Sequence, residues 1–290
     1  MAKMKLTTHR KLVLARWLYL CITFLRRLVI RSPHIRVRRN NIFWNLDVSQ
    51  AIDLSIYLTG KFEAHTLKDI LNCVSRTSIV IDIGANIGAH TLPIAKALNE
   101  GLVIACEPTE WAFNRLNTNI ALNPHLQARV NAIQCGLTAV QGQKIESDIY
   151  SSWPLDIAGH PIHGGVANST FGAESITLDL LVERLKLPHI ALIKIDVDGH
   201  EWSVLEGSRA SINKFQPYLV LEWSPQQIQE FGHQPSDLRA LLENLRYEPI
   251  KFKRSKIVKI HWNDLELIPY GSSQNVVFRH STYFDIPQTK

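Results

Sequence analysis

From Ser78 onward, apolar runs of strand length alternate with apolar positions at helical spacing, which predicts successive β-α-β units around a parallel sheet. Strands are expected near 78–83, 101–106, 130–135, 190–196 and 217–223, with helices near 88–99, 110–122, 177–187 and 201–214. One more helix follows Pro235 to about Arg246. Tyr247 to Ile260 and Asn275 to His280 then read as two antiparallel strands. The expected fold class is α/β, with a doubly wound, mostly parallel, seven-stranded sheet closed by an antiparallel hairpin. Upstream, residues 42–75 form an entry segment with a helix over Ala64 to Val74. The alternation fails from Thr138 to Ser175, where Gly, Pro, Ser and His cluster in SSWPLDIAGHPIHGGVANSTFG. Irregular insertions of that length are usually functional or mobile, so a substrate-covering loop is expected there, with surface variability as the alternative. His160 and His163 have metal-ligand spacing, but in a Gly-rich loop they read as exposed.

The first forty residues differ from the rest. Residues 12–30, LVLARWLYLCITFLRRLVI, are largely apolar, but the unbroken run Trp17 to Leu25 is too short to span a bilayer. Leu14, Leu18, Cys21, Leu25 and Leu28 recur at helical spacing, opposite Arg16, Arg27 and Arg31. An amphipathic helix is expected, suited to peripheral contact with an anionic inner membrane face. A cap helix packed on the domain and a signal peptide are the alternatives. Arg26, Arg27 and Arg31 stand where the cleavage site of a signal peptide should be. The chain thus divides into a basic arm, 1–40, and a single domain, 41–290, with its core at about 45–225.

Charge sharpens this division. The net charge is +6, yet eleven Lys and Arg and no acid lie within residues 1–40, which leaves 21 basic against 26 acidic residues in the body. A nucleic-acid enzyme needs positive charge around its site, so an acidic body argues against that partner. The four cysteines, Cys21, Cys73, Cys106 and Cys135, form no C-x-x-C pair, which points away from a disulfide framework or structural zinc and towards a cytoplasmic setting.

The most informative stretch is VIDIGANIGAH, Val80 to His90, an apolar strand ending in an acid and a glycine-punctuated turn. Gly84 and Gly88 permit a tight turn and close ligand approach, and the following helix start suits an anionic group. Asn86 stands where a dinucleotide fingerprint carries its second glycine, which weakens a pyrophosphate reading. Together with YLTGKFE (57–63) and IKIDVDGHEWSVLEG (193–207), this turn resembles the FkbM family of class I S-adenosylmethionine-dependent methyltransferases over roughly residues 45–225. One departure is Asp198, where family members usually carry glutamate.

In an open α/β sheet the ligand lies at the carboxyl ends of the strands, where the strand order reverses. Asp82 and Asp196 should converge there, and Asp82, Gly84, Ala85, Asn86 and Gly88 would supply carboxylate and amides to a sulfonium-bearing amino acid, a structural ion pair being the alternative for Asp82. Glu107, about twenty residues beyond the turn, would accept the ribose hydroxyls. Gln134 to Leu137, with Gly136, should lie by the adenine. The resemblance implies that Asp196 lies near the transferable methyl and that His200 and Glu201 begin the next helix. As general base, Asp196 ranks first, followed by Glu222 and His200. D-x-D-G-x-E mimics part of a calcium loop but lacks its full pattern, so no metal is expected. The resemblance further implies methyl transfer to a hydroxyl of a sugar, glycolipid or related metabolite, with a small-molecule or lipid-linked saccharide acceptor. A nicotinamide-dependent oxidoreductase and a non-catalytic docking module are the rivals.

Overall fold

The computed structural model describes residues 32–156, 165–254 and 256–284, together with Arg16. The expected amphipathic helix over residues 12–30, apart from Arg16, and His160 and His163 lie outside the described residues. The chain begins with β1 (His34–Arg39), β2 (Ile42–Asp47), α1 (Ala51–Thr59), α2 (Ala64–Cys73), β3 (Ile79–Ile83), α3 (Thr91–Ala97) and β4 (Leu102–Cys106). Next come α4 (Glu110–Ala121), α5 (Pro124–Gln127), β5 (Val130–Ile133), β6 (Cys135–Leu137), β7 (Asp148–Ser152), β8 (Val166–Ser169), β9 (Glu174–Ile176) and α6 (Leu178–Leu185). The remainder is β10 (Leu192–Ile195), α7 (Glu201–Glu206), α8 (Arg209–Phe215), β11 (Tyr218–Trp223), α9 (Pro225–Glu230), α10 (Pro235–Asn244), β12 (Tyr247–Lys253), β13 (Lys256–Lys259), α11 (Trp262–Glu266) and β14 (Gln274–His280).

The main sheet has the order β13-β12-β14-β11-β10-β3-β4-β5. Strands β11, β10, β3, β4 and β5 are parallel, and β14 inserts antiparallel between β11 and β12. Helices cover both faces, so β3 (IVIDI) and β10 (LIKI) are buried along their whole length, the signature of central parallel strands. Strand order reverses between β3 and β10, and Ile83 pairs with both Ile195 and Cys106, which brings three carboxyl ends level at the reversal.

Four expectations are corrected. The sheet has eight strands rather than seven, because the chain reverses after Lys253 through Arg254 (φ +50°) and returns as the lysine-rich edge strand β13. Lysines blunt such an edge against pairing with other chains. The helix expected over 201–214 is two helices, since the Asp179 carboxylate accepts from the Ala210 and Ser211 amides and starts a new one. The stretch 138–175 is not wholly irregular: β7 and β8 form an antiparallel hairpin and β9 pairs with β6. Finally, His34–Arg39, read as arm, is a strand paired with β2 through a turn with Asn40 at φ +49° and Asn41 at φ +59°. Two consecutive positive φ values make the tight turn that suits hairpin twist, and Asn tolerates them.

That hairpin is fastened to α4. Asn119 accepts from the Asn45 amide at 2.8 Å, and Asn123 accepts from the Phe43 amide and donates to the Phe43 carbonyl. Trp44, Leu46 and Ile42 complete the contact from the apolar side. Among the described residues no helix is long and apolar enough to cross a membrane.

Candidate active site

A cavity of about 550 Å³ opens at the carboxyl ends of β3, β4, β10 and β11, beside the reversal of strand order. Gly84, Ala85, Asn86, Glu107, Gly136, Asp196, His200 and Glu222 line it as expected from the sequence. Asp82 and Gly88 do not line it.

Asp82 is fully buried, accepts from the Thr91 hydroxyl at 2.6 Å and lies 3.4 Å from the Lys194 ammonium. Lys194 and Asp82 are register partners on β10 and β3, so sheet pairing itself brings the charges together. The ion-pair alternative therefore describes Asp82, and its contact with a ligand is withdrawn. Gly88, at φ +90°, meets the Leu116 side chain, where a Cβ would stand 2.9 Å away, so its need for glycine comes from α4.

The turn amides are also reassigned. Gly84 and Ala85 both donate to the Cys106 carbonyl at 3.0 Å, Asn86 donates to Glu107, Ile87 to the Asn86 side chain and Gly88 to the Ala85 carbonyl. Each amide from 84 to 88 thus has a protein acceptor, so the expected anion cradle is replaced by a brace between β3 and β4. Gly84 itself is indispensable: at φ +77°, a Cβ would stand 1.9 Å from the Asp196 carbonyl oxygen.

Glu107, 3% exposed, accepts from the Asn86 amide at 2.9 Å with one oxygen and from the Thr109 amide and hydroxyl with the other. Burial raises its pKa, while these donors pull it back. The carboxylate is held rigidly with one lone pair, on Oε2, left for a ligand. Cys135, Gly136 and Leu137 line the cavity beyond it, whereas Gln134 turns away and donates to the Phe171 carbonyl.

Across the reversal, Lys194 is 1% exposed and also pairs with Asp196 at 3.0 Å. Burial opposes its charge, but Asp196 and Asp82 outweigh that and raise its pKa. The following turn has Asp198 at φ +50° and Gly199 at φ +108°. Glu201 holds this turn from below, accepting from the Val197 and Gly199 amides at 3.2 and 3.4 Å. Its burial pushes the carboxyl up to about 7, and it does not line the cavity. Asp198 accepts from Gln227 at 2.9 Å, and burial, then Asp196 and Glu201, push its pKa well up. On β11, Glu222 is likewise pushed up by burial and then by Asp196 and Asp198. His200 lies against Phe231, ring centroids 4.0 Å apart, and burial lowers its pKa.

Glu63, His90, Lys194 and Asp198 line the same cavity; none is among the site residues expected from the sequence, although Glu63 and Asp198 lie in the motifs that carry the resemblance. Lys194 was the most legible of the four, a lone cation inside an apolar strand. The insertion supplies a wall: Tyr150, Ser151 and Trp153 line the cavity, and the segment is tied to α1 by the Ala51 amide bonding the Trp153 carbonyl. Asn86 donates from its side chain to the Ser151 carbonyl at 2.7 Å, which joins the wall to the glycine turn. In all, six carboxylates and two lysines line the cavity, a balance that favours a cationic ligand. Among the described residues no group of three His, Cys, Asp or Glu side chains is arranged to hold a metal ion.

A doubly wound sheet with an antiparallel strand inserted near one edge, and an acidic crevice at its reversal, defines the Rossmann-like class I methyltransferases. Residues 82–249 match the methyltransferase FkbM domain, and the chain belongs to that family. Its members use S-adenosylmethionine. The chain is 27% identical over 184 residues to the hexuronic acid methyltransferase AglP of Haloferax volcanii, covering 63% of this chain and 69% of AglP. It is also 27% identical over 240 residues to the methyltransferase sdnD of Sordaria araneosa, covering 70% of this chain and 89% of that one. Among solved structures, the FkbM methyltransferase of Methylobacillus flagellatus KT aligns at 16% identity and a TM-score of 0.43, over 71% of this chain and 44% of that one. Family membership runs against the nicotinamide-dependent oxidoreductase reading.

Proposed function

We propose that this protein is an O-methyltransferase that uses S-adenosylmethionine to methylate a hydroxyl of a sugar, glycolipid or related metabolite. The observation that carries the reading is the order of charges along the strand ends in one cavity: Glu107 just after β4, the Lys194–Asp196 pair at the end of β10 and Glu222 on β11. The residues fit the cofactor. Glu107 keeps a lone pair on Oε2 for a ribose hydroxyl, and the carboxylates around Asp196 suit a positive sulfur. Bound S-adenosylmethionine supplies a methyl group on that sulfur, with a neutral thioether as the leaving group.

The work of the chain is then to position a hydroxyl in line and accept its proton. Asp196 is committed to Lys194, so its charge serves the cationic side of the cavity. Glu222 is the better base, because burial raises its affinity for a proton while Ser273 orients it. We therefore place Glu222 ahead of Asp196 and His200. Similarity to a hexuronic acid methyltransferase supports a saccharide acceptor. The excess of carboxylates in the lining favours a neutral sugar over an acidic one. For the arm, the exposed positions His34, Arg36 and Arg38 of β1 extend its basic series and support contact with an anionic membrane surface.

The test is methyl transfer from isotope-labelled S-adenosylmethionine to a panel of sugars and glycolipids, read by mass spectrometry. Label should appear on a hydroxyl. Glu222→Gln should lower kcat by about 10²–10⁴-fold while leaving cofactor affinity within about twofold. A base must be deprotonated to act, so kcat of the wild type should fall with decreasing pH through a midpoint above the usual glutamate value, and the residual activity of the variant should lack that limb. Label on an amine, or near-normal kcat in Glu222→Gln, would overturn the assignment.

A further inference from the structure

Elsewhere in the lining of the cavity a carboxylate and a buried imidazole meet. Glu63, at the start of α2 in a left-handed conformation (φ +41°), accepts from Asn275 at 2.8 Å and lies 3.9 Å from Nε2 of His90. His90 is 4% exposed and lines the cavity, yet its Nε2 has no hydrogen-bond partner among the described residues. An unsatisfied buried nitrogen is costly, and one on a side chain that lines a cavity is a candidate for bonding to a ligand. Burial first, then Lys194, lowers the His90 pKa to about 4, so the ring is neutral at physiological pH and carries one N–H. Lys194 stands on the same side with its two carboxylate partners. The glycine turn cannot serve a ligand carboxylate here, because its amides from 84 to 88 are all engaged.

We propose that Lys194 and His90 receive the carboxylate of the cofactor's amino-acid end while Glu63 and Asp196 receive its ammonium. The assignment rests on the S-adenosylmethionine reading above. It follows strand order: the ribose end lies over β4, the zwitterion over β10 and α2, and the acceptor over β11. A zwitterion is the ligand that needs both signs within one hydrogen-bonding pocket, and the Lys194–Asp196 pair with Glu63 beside His90 supplies them.

Calorimetric titration of the full chain with S-adenosylhomocysteine and with 5′-methylthioadenosine separates this end from the rest, because the second compound keeps the nucleoside and thioether but lacks the amino acid. His90→Leu and Glu63→Gln should each weaken S-adenosylhomocysteine by about tenfold or more and 5′-methylthioadenosine by less than about twofold. Thermal denaturation establishes that each variant is folded. Glu63 is one-third exposed, so its variant carries the test alone if His90→Leu does not fold. Equal weakening of both compounds, or no change for either, overturns the inference and leaves the cofactor reading standing. If the wild type binds neither compound, the cofactor reading falls and this inference with it.

Discussion

Gly84 and Gly142 have almost the same backbone angle, φ +77° and +78°, in very different surroundings. A Cβ at Gly84 would collide with the Asp196 carbonyl at 1.9 Å, whereas at Gly142 nothing lies within 4 Å. Gly142→Ala should therefore cost only the left-handed backbone penalty, about 1–2 kcal/mol. Gly84→Ala should cost more than about 3 kcal/mol, because β3 and β10 must also separate. Paired urea denaturation curves measure the difference directly; equal losses would mean that the close approach of β10 is not required. At this scale the sequence was partly legible. Glu107 and Asp196 were expected at the cavity because acids at strand ends follow from topology, and both line it. The occupied turn amides and the burial of Asp82 were not, because the Cys106 carbonyl and the Lys194 ammonium reach them only once β3, β4 and β10 pair.

Among the elements, the turn between β10 and α7 is held by a buried carboxyl. Glu201 has its pKa pushed up to about 7 by burial, so between the ordinary glutamate value and that point the folded protein binds the proton that the unfolded chain releases. Its contribution to stability is therefore lost as pH rises through that window, on the order of 3 kcal/mol. Glu201→Gln keeps an oxygen for the Val197 and Gly199 amides and cannot ionise. The decline in Tm from pH 5 to pH 8 should be shallower in that variant; an unchanged slope would show that Glu201 stays charged in the fold. Central strands were legible because continuous burial leaves continuous apolar runs. The β7–β8 hairpin was not, because its stability comes from docking on α1 and on Asn86 rather than from its own Gly- and Ser-rich sequence. The second helix in 201–214 was hidden for a similar reason, since its start is set by Asp179, thirty residues upstream.

For the molecule as a whole, the sheet supplies the site and the β1–β2 hairpin closes the α4 side. Ile35 and Val37 of β1 pack on the cluster that contains Trp44, Leu46 and Leu116. Removing residues 1–40 deletes β1, so Tm should fall by several degrees relative to removal of 1–31, which spares the strand. If the basic series makes a membrane contact, both truncations should weaken the sedimentation of the full chain with anionic vesicles; full binding by the shorter chain would place that contact elsewhere.

The central claim, that the acidic cavity is an S-adenosylmethionine site with Glu107 at its ribose end, is tested most directly by calorimetric titration of the wild type and of Glu107→Ala. One-site binding of S-adenosylmethionine, no binding of NAD, and a loss of about tenfold or more in the variant are predicted. Preference for NAD, or an unchanged affinity for S-adenosylmethionine in Glu107→Ala, would contradict the account.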